Sequence, residues 1–201
     1  MRKLTVCIIL AVFFAGFGFS VVQREDLRAN GTDMLLPLAP VDPRALLMGD
    51  YMTLEFAVNN DIMAELRRKH PDTRRDGHDL PQSGVAVIAK IPLRNRSGKD
   101  VENPQNTAPA FGFVRLDDGT PLAPGELPLA FNVRSRRIVS AATAFYFQEG
   151  DASAYERAQF GRLKLDANGK TLLVTLCDGN GQDIVPERLL TSGAAPEQAR
   201  P

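Results

Sequence analysis

The sequence predicts a mainly β protein: a compact antiparallel β-sandwich or partial barrel with two short helices, preceded by one N-terminal transmembrane helix. Three observations carry this reading. An unbroken apolar run occupies residues 4–22. From Met34 onward, about seven short segments carry apolar residues at strand length and spacing. Gly, Pro, Asn and Asp separate those segments, as turns require.

The length and composition fit one compact domain. Of 201 residues, 44% are hydrophobic and 24% charged, which is ordinary for a globular chain. Lys plus Arg equals Asp plus Glu at 24 each, so the formal charge is zero and nothing electrostatic points to nucleic acid as a partner. There is no Trp, which removes indole stacking as a means of binding sugars. Cys7 sits in the apolar run and Cys177 near the end of the domain, a placement that offers no internal disulfide.

Residues 4–22, helical at ~1.5 Å per residue, would extend about 28 Å, close to the hydrocarbon thickness of a bilayer. Arg2 and Lys3 precede the run, so the positive-inside rule sends the C-terminal bulk across the membrane. The run is longer than a signal-peptide core, and Gly18-Phe19-Ser20 lacks the Ala-x-Ala pattern, so an uncleaved anchor is expected. Residues 23–30 can prolong the helix, with Gly31 as its C-cap. The expected division is an anchor over 1–31, a β-rich domain over 32–190 and a disordered tail over 191–201.

Within the domain, residues 34–38 read as a strand. Residues 42–49 read as one helical turn capped by Asp42, with Pro43 at the first helical position. Met52, Leu54, Phe56 and Val58 alternate with Tyr51, Thr53, Glu55 and Ala57, which predicts a half-buried strand over 51–58. Residues 60–70 carry the helical stripe Ile62, Met63 and Leu66. Strands are predicted over 84–91, 111–116, 127–134 and 137–148. Residues 71–83 and 94–108 are polar loops, and Asp117-Asp118-Gly119 begins the turn between the second and third of these strands. Asp151 can cap a short helix through Ala158. Residues 162–165 and 171–177 form a hairpin around Ala167-Asn168-Gly169.

Two blocks resemble a known family. The first runs from Asp42-Pro43-Arg44 through Gly49-Asp50-Tyr51 to Leu54 and Phe56; the second holds Phe145-Tyr146-Phe147-Gln148-Glu149-Gly150, Ala154-Tyr155-Glu156 and Gly161. Together they resemble the bacterial membrane-anchored family named for its GDYxxLxY motif. Phe56 departs from the pattern: it keeps the ring of the final tyrosine and loses its hydroxyl. The resemblance implies membrane-anchored placement and a structural use of these positions. It also implies a polytopic membrane protein as partner, because genes of this family often neighbour those of such proteins. It supplies no chemistry.

The residues that could carry chemistry each have a plainer use. Asp50 is either an exposed carboxylate at a strand entrance or the acceptor that ties down the turn before Tyr51. Arg44 can pair with Asp50 or with Glu149. Glu149 and Glu156 could join Asp50 as paired carboxylates, which glycosidases need roughly 5 to 10 Å apart. His70 and His78, with Asp72, Asp76 and Asp79, match no compact zinc spacing. There is no Gly-x-Ser-x-Gly elbow and no Gly-rich phosphate loop. The reading is therefore a non-enzymatic interaction module, without cofactor or metal, on the outer side of the cytoplasmic membrane. The alternatives are an envelope hydrolase using Asp50 and Glu149, or a small-ligand binding module.

Overall fold

The computed structural model describes residues 2–39, 47–48, 51–70, 80–95, 97–101 and 108–186. Helix α1, Arg2–Asn30, contains the whole apolar run and its polar extension. Its side chains are described at Leu10 and from Val12 onward, and all are exposed except the half-buried Leu27. Among the described residues, no helix is long and apolar enough to cross a membrane. The helix stops at Gly31, whose N–H donates to the Leu27 carbonyl at 3.0 Å. Gly31 is not in the left-handed region. It is needed for closeness instead, since a Cβ there would lie 2.4 Å from the Leu27 oxygen.

One residue later begins β1, Thr32–Pro37. The short strands β2, Leu47–Met48, and β3, Tyr51–Thr53, follow. Helix α2, Ala57–Lys69, leads to β4, Ser83–Ile91. Then come β5, Ala110–Leu116, β6, Glu126–Arg134, β7, Arg137–Val139, and β8, Ala144–Tyr146. Helix α3, Ala152–Tyr155, precedes the hairpin of β9, Phe160–Leu165, and β10, Thr171–Cys177.

Seven strands form one sheet in the order β10-β9-β1-β5-β4-β6-β7. All pairs are antiparallel except β1 with β5. The sheet curls into a half-barrel, so of the two expected architectures the partial barrel holds and the sandwich does not. The β9–β10 turn closes the curl: the Ala130 N–H donates to the Gly169 carbonyl at 2.8 Å, and the Thr171 hydroxyl to the Ser140 carbonyl at 2.8 Å. The concave face carries Met34, Leu36, Ile88, Phe111, Leu129, Phe131 and Leu163, and α2 covers it with Val58, Ile62 and Leu66. One buried polar pair crosses this core, the Ser140 hydroxyl donating to Asn59 Oδ1 at 2.6 Å. On the opposite face a smaller cluster holds Leu35, Ala110, Phe160 and Cys177 under Leu93, Val101 and Ala108. The polar loop expected over 94–108 thus lends apolar side chains to a second core.

Several sequence expectations are corrected. The strand expected over 51–58 ends at Thr53, and α2 begins at Ala57. Met52, Leu54, Phe56 and Val58 are all buried, as the alternation requires. Val58, Ile62 and Leu66 also stand four residues apart, and that helical spacing claims the chain from Ala57 on. Leu47 and Met48 pair with Met52 and Tyr51 as a strand rather than completing a helical turn; the rest of that turn, with Asp42, Pro43, Arg44, Gly49 and Asp50, lies outside the described residues. The strand expected over 137–148 is two, in different sheets. Asp151 sits before α3 but makes no side-chain cap, and α3 is only one turn long.

Candidate functional site

The described parts of the two motif blocks fold against each other. Strand β3 of the first pairs with β8 of the second, in the register Tyr51↔Tyr146, Met52↔Phe145 and Thr53↔Ala144. The Leu54 N–H continues the contact, donating to the Thr143 carbonyl at 2.9 Å. Leu54 and Phe56 are buried in the main core. The Phe56 ring lies over Gly161, where a Cβ would stand 2.7 Å from the ring edge. Gly161 is therefore required by the aromatic residue that ends the first block. Tyr155 is buried between Phe145, edge-on with centroids 5.0 Å apart, and Phe147, stacked at 5.4 Å.

The outward side of this junction carries Tyr51 and Tyr146, their rings 5.7 Å apart. Tyr146 is 75% exposed, an unusual state for a large ring. Glu149 and Gly150 form the exposed turn after β8, where Gly150 has φ +91° and the Asp151 N–H returns to the Gln148 carbonyl. Glu156 is exposed just past α3. Arg44 and Asp50, the other groups of the proposed carboxylate pairings, lie outside the described residues. So does His78, while His70 ends α2. Among the described residues, no group of His, Cys, Asp and Glu side chains could hold a metal ion.

A second polar constellation was not singled out by sequence reasoning. On the convex face, Arg162 Nη1 donates to both Asp183 oxygens at 3.2 and 3.0 Å, and its Nε stands 3.5 Å from Asp33. Lys164 Nζ donates to the other Asp33 oxygen at 3.1 Å. Burial works against the Arg162 charge, but the Asp183 and Asp33 carboxylates outweigh it and hold the guanidinium above its ordinary pKa. Fully buried Cys177 donates its thiol to Asp183 Oδ1 at 3.2 Å. Burial, reinforced by that carboxylate, pushes the thiol well above its usual 9.0. Both causes disfavour the thiolate, the form that acts as nucleophile or metal ligand. The only hint in the sequence is the alternation of Arg162 and Lys164 with apolar residues; their acidic partners come from β1 and from beyond β10.

Among the described residues, these arrangements offer aromatic contact and ion pairing. Both blocks lie inside the stretch that a family model matches. The family model described as GDYXXLXY protein matches residues 13–176, from within α1 to the end of β10. No curated protein and no solved structure matches the chain. With most of its length matched, and with both blocks meeting at one core junction, the chain belongs to the GDYXXLXY family.

Proposed function

We propose that this protein is a non-enzymatic interaction module, anchored by α1 in the cytoplasmic membrane, with its half-barrel on the non-cytoplasmic side and a multi-spanning membrane protein as its partner. The observation that carries the reading is the apolar surface of α1. Val12, Phe13, Phe14, Phe17, Phe19 and Val22 are each 61–68% exposed, and the half-barrel covers none of them. Burying such side chains is worth roughly 1.5–3 kcal/mol each, so they call for lipid or for other apolar helices. The apolar run over residues 4–22 lies wholly within α1 and reaches bilayer length at ~1.5 Å per residue. Arg2 and Lys3 favour the orientation.

The test is fractionation followed by capture. The full chain is expected to stay in the pellet after high-salt and carbonate washes, and to bring a polytopic protein with it from detergent extracts. A soluble product beginning near Val21 would mean that the run is a cleaved signal peptide. The hydrolase alternative makes the opposite demand on Glu149. Glu149→Gln is expected to preserve cellular function; loss of function at unchanged melting temperature would favour chemistry at that turn.

A further inference from the structure

Two bodies in one chain usually meet through a polar linker and swing on it. Here the joint has no slack. Helix α1 runs to Asn30 and β1 begins at Thr32, so Gly31 alone lies between them. No Gly or Pro interrupts the helix from Val22 to Asn30, and the Asn30 amide donates to Asp26 Oδ1 one turn back at 2.6 Å. The Gly31 N–H is committed to the Leu27 carbonyl. The space around Gly31 is closed as well: a Cβ would stand 2.4 Å from the Leu27 oxygen, 2.9 Å from Leu27 Cδ1 and 3.0 Å from Lys164 Cβ. A hinge needs residues free to change φ and ψ, and the one residue available here is enclosed.

The strand that starts at the joint is held along its whole length. Thr32 is already paired with Leu165, and every residue of β1 has a partner on β9. Leu35 also pairs with Ala110 of β5. Asp33 is bound by Lys164 and Arg162. Met34, Leu35 and Leu36 are fully buried and alternate between the two cores. Beyond Pro37 the chain reaches the first motif block: Leu38 bridges to Phe56, and the Ala39 N–H donates to the Glu55 carbonyl at 2.8 Å. The six residues of β1, about 20 Å at ~3.3 Å each, thus lead from the helix to the motif junction.

We propose that α1 and the half-barrel move as one body, a lever with the helix at one end and the junction of the two motif blocks at the other. This deepens the interaction-module reading and rests on it for the place of α1 in the membrane. Stiffness here comes from missing slack rather than from contact area, so it needs no large interface between helix and domain. A tilt or rotation imposed on α1 by a neighbouring membrane helix is delivered at the motif junction instead of being lost in a linker. A partner gripping the junction acts on α1 in return.

The test is the distance between two spin labels, read by pulsed electron paramagnetic resonance in nanodiscs and in detergent. One label sits at Arg24→Cys, on the exposed polar part of α1, and the other at Glu156→Cys, next to the buried Tyr155, in a chain carrying Cys7→Ser. A single narrow distance is expected. Inserting Gly-Ser-Gly-Ser after Gly31 should add a spread of about 10 Å, as four flexible residues do, at an unchanged melting temperature. Gly31→Ala should move or broaden the peak, because the enclosed joint cannot take a methyl without shifting. A distribution without the insertion that is as broad as the one with it overturns the proposal, as does a Gly31→Ala distribution identical to its parent's. Should the inserted chain be recovered unfolded, the parent's width is judged against that spread directly. A chain that stays out of the nanodiscs would sink the anchor reading, while the distances in detergent still decide whether helix and domain move together.

Discussion

Phe56 and Gly161 form the tightest fit between the two motif blocks, and they define a prediction at the scale of single atoms. Gly161→Ala sets a methyl 2.7 Å from the Phe56 ring with β1 and β10 paired on either side. Overpacking of this kind costs about 1–3 kcal/mol. A chain of this size should then melt several degrees lower, at roughly 2–4 °C per kcal/mol. Phe56→Leu combined with Gly161→Ala should recover part of the loss in thermal unfolding. If the two changes were simply additive, the contact would not be the cause. Cys177 gives a second prediction, on pH. Its folded pKa lies above the unfolded value near 9.0, so the unfolded chain releases the proton first. Stability is therefore undiminished below about pH 9 and falls as pH rises beyond it. In urea unfolding between pH 8 and 10, Cys177→Ser should flatten that fall, and a slope identical to wild type would contradict it. The burial of Phe56 was legible from alternation alone. The Cys177–Asp183 contact was not, because a hairpin-like return after β10 brings the two together and no local pattern records it.

The β9–β10 hairpin combines what is readable at the scale of elements with what is not. Its turn is legible from Ala167-Asn168-Gly169, and Gly169 adopts φ +82°; the structure adds Asp166, whose Oδ1 accepts from the Asn168 and Lys170 N–H groups, both at 2.8 Å. What the turn does for the rest of the fold was hidden, since its contact with Ala130 joins residues far apart in the chain. Two substitutions separate these roles. Asp166→Ala removes an exposed acceptor and should cost about 1 kcal/mol. Gly169→Ala must also abandon a left-handed conformation and place a methyl 2.7 Å from the Ala130 nitrogen, which opens the half-barrel. It should cost at least about twice as much and accelerate hydrogen exchange at Ala130. Equal losses, with Ala130 still protected, would mean that the turn does not close the sheet. The same limit explains the order β5-β4-β6. The turn at Asp117 joins β5 to β6 in sequence, yet β4 lies between them, paired by side-chain fit over distances that periodicity cannot see. It also explains why residues 137–148 read as one strand: alternation persists across the bend at Ser140, where the chain leaves one sheet for the other.

For the whole molecule, the decisive matter is how little of α1 belongs to the half-barrel. Of its described side chains only Leu27 is half-buried, and that end of the helix touches the domain beside Gly31 and Lys164. Among the described residues, both cores are built without α1: the concave cluster from β1, β3, α2, β4–β7, α3, β9 and β10, and the convex one from β1, β5, β9, β10 and the segment around Leu93. The sequence indicated this division, because an apolar run followed by a polar helical stretch has no face to offer a β-domain. The chain from Gly31 onward should therefore fold without the helix. Its loss removes one partial contact, at Leu27, worth less than about 1 kcal/mol, so the melting temperature should fall by no more than a few degrees. The two forms should differ sharply in solubility, with the fragment remaining in solution unaided and the full chain requiring detergent or lipid. Circular dichroism melts of both forms, with gel filtration of the fragment in plain buffer, make the comparison. A fragment that aggregates or melts ten degrees lower would show that α1 completes the fold, and its exposed apolar surface would then need another explanation than a membrane.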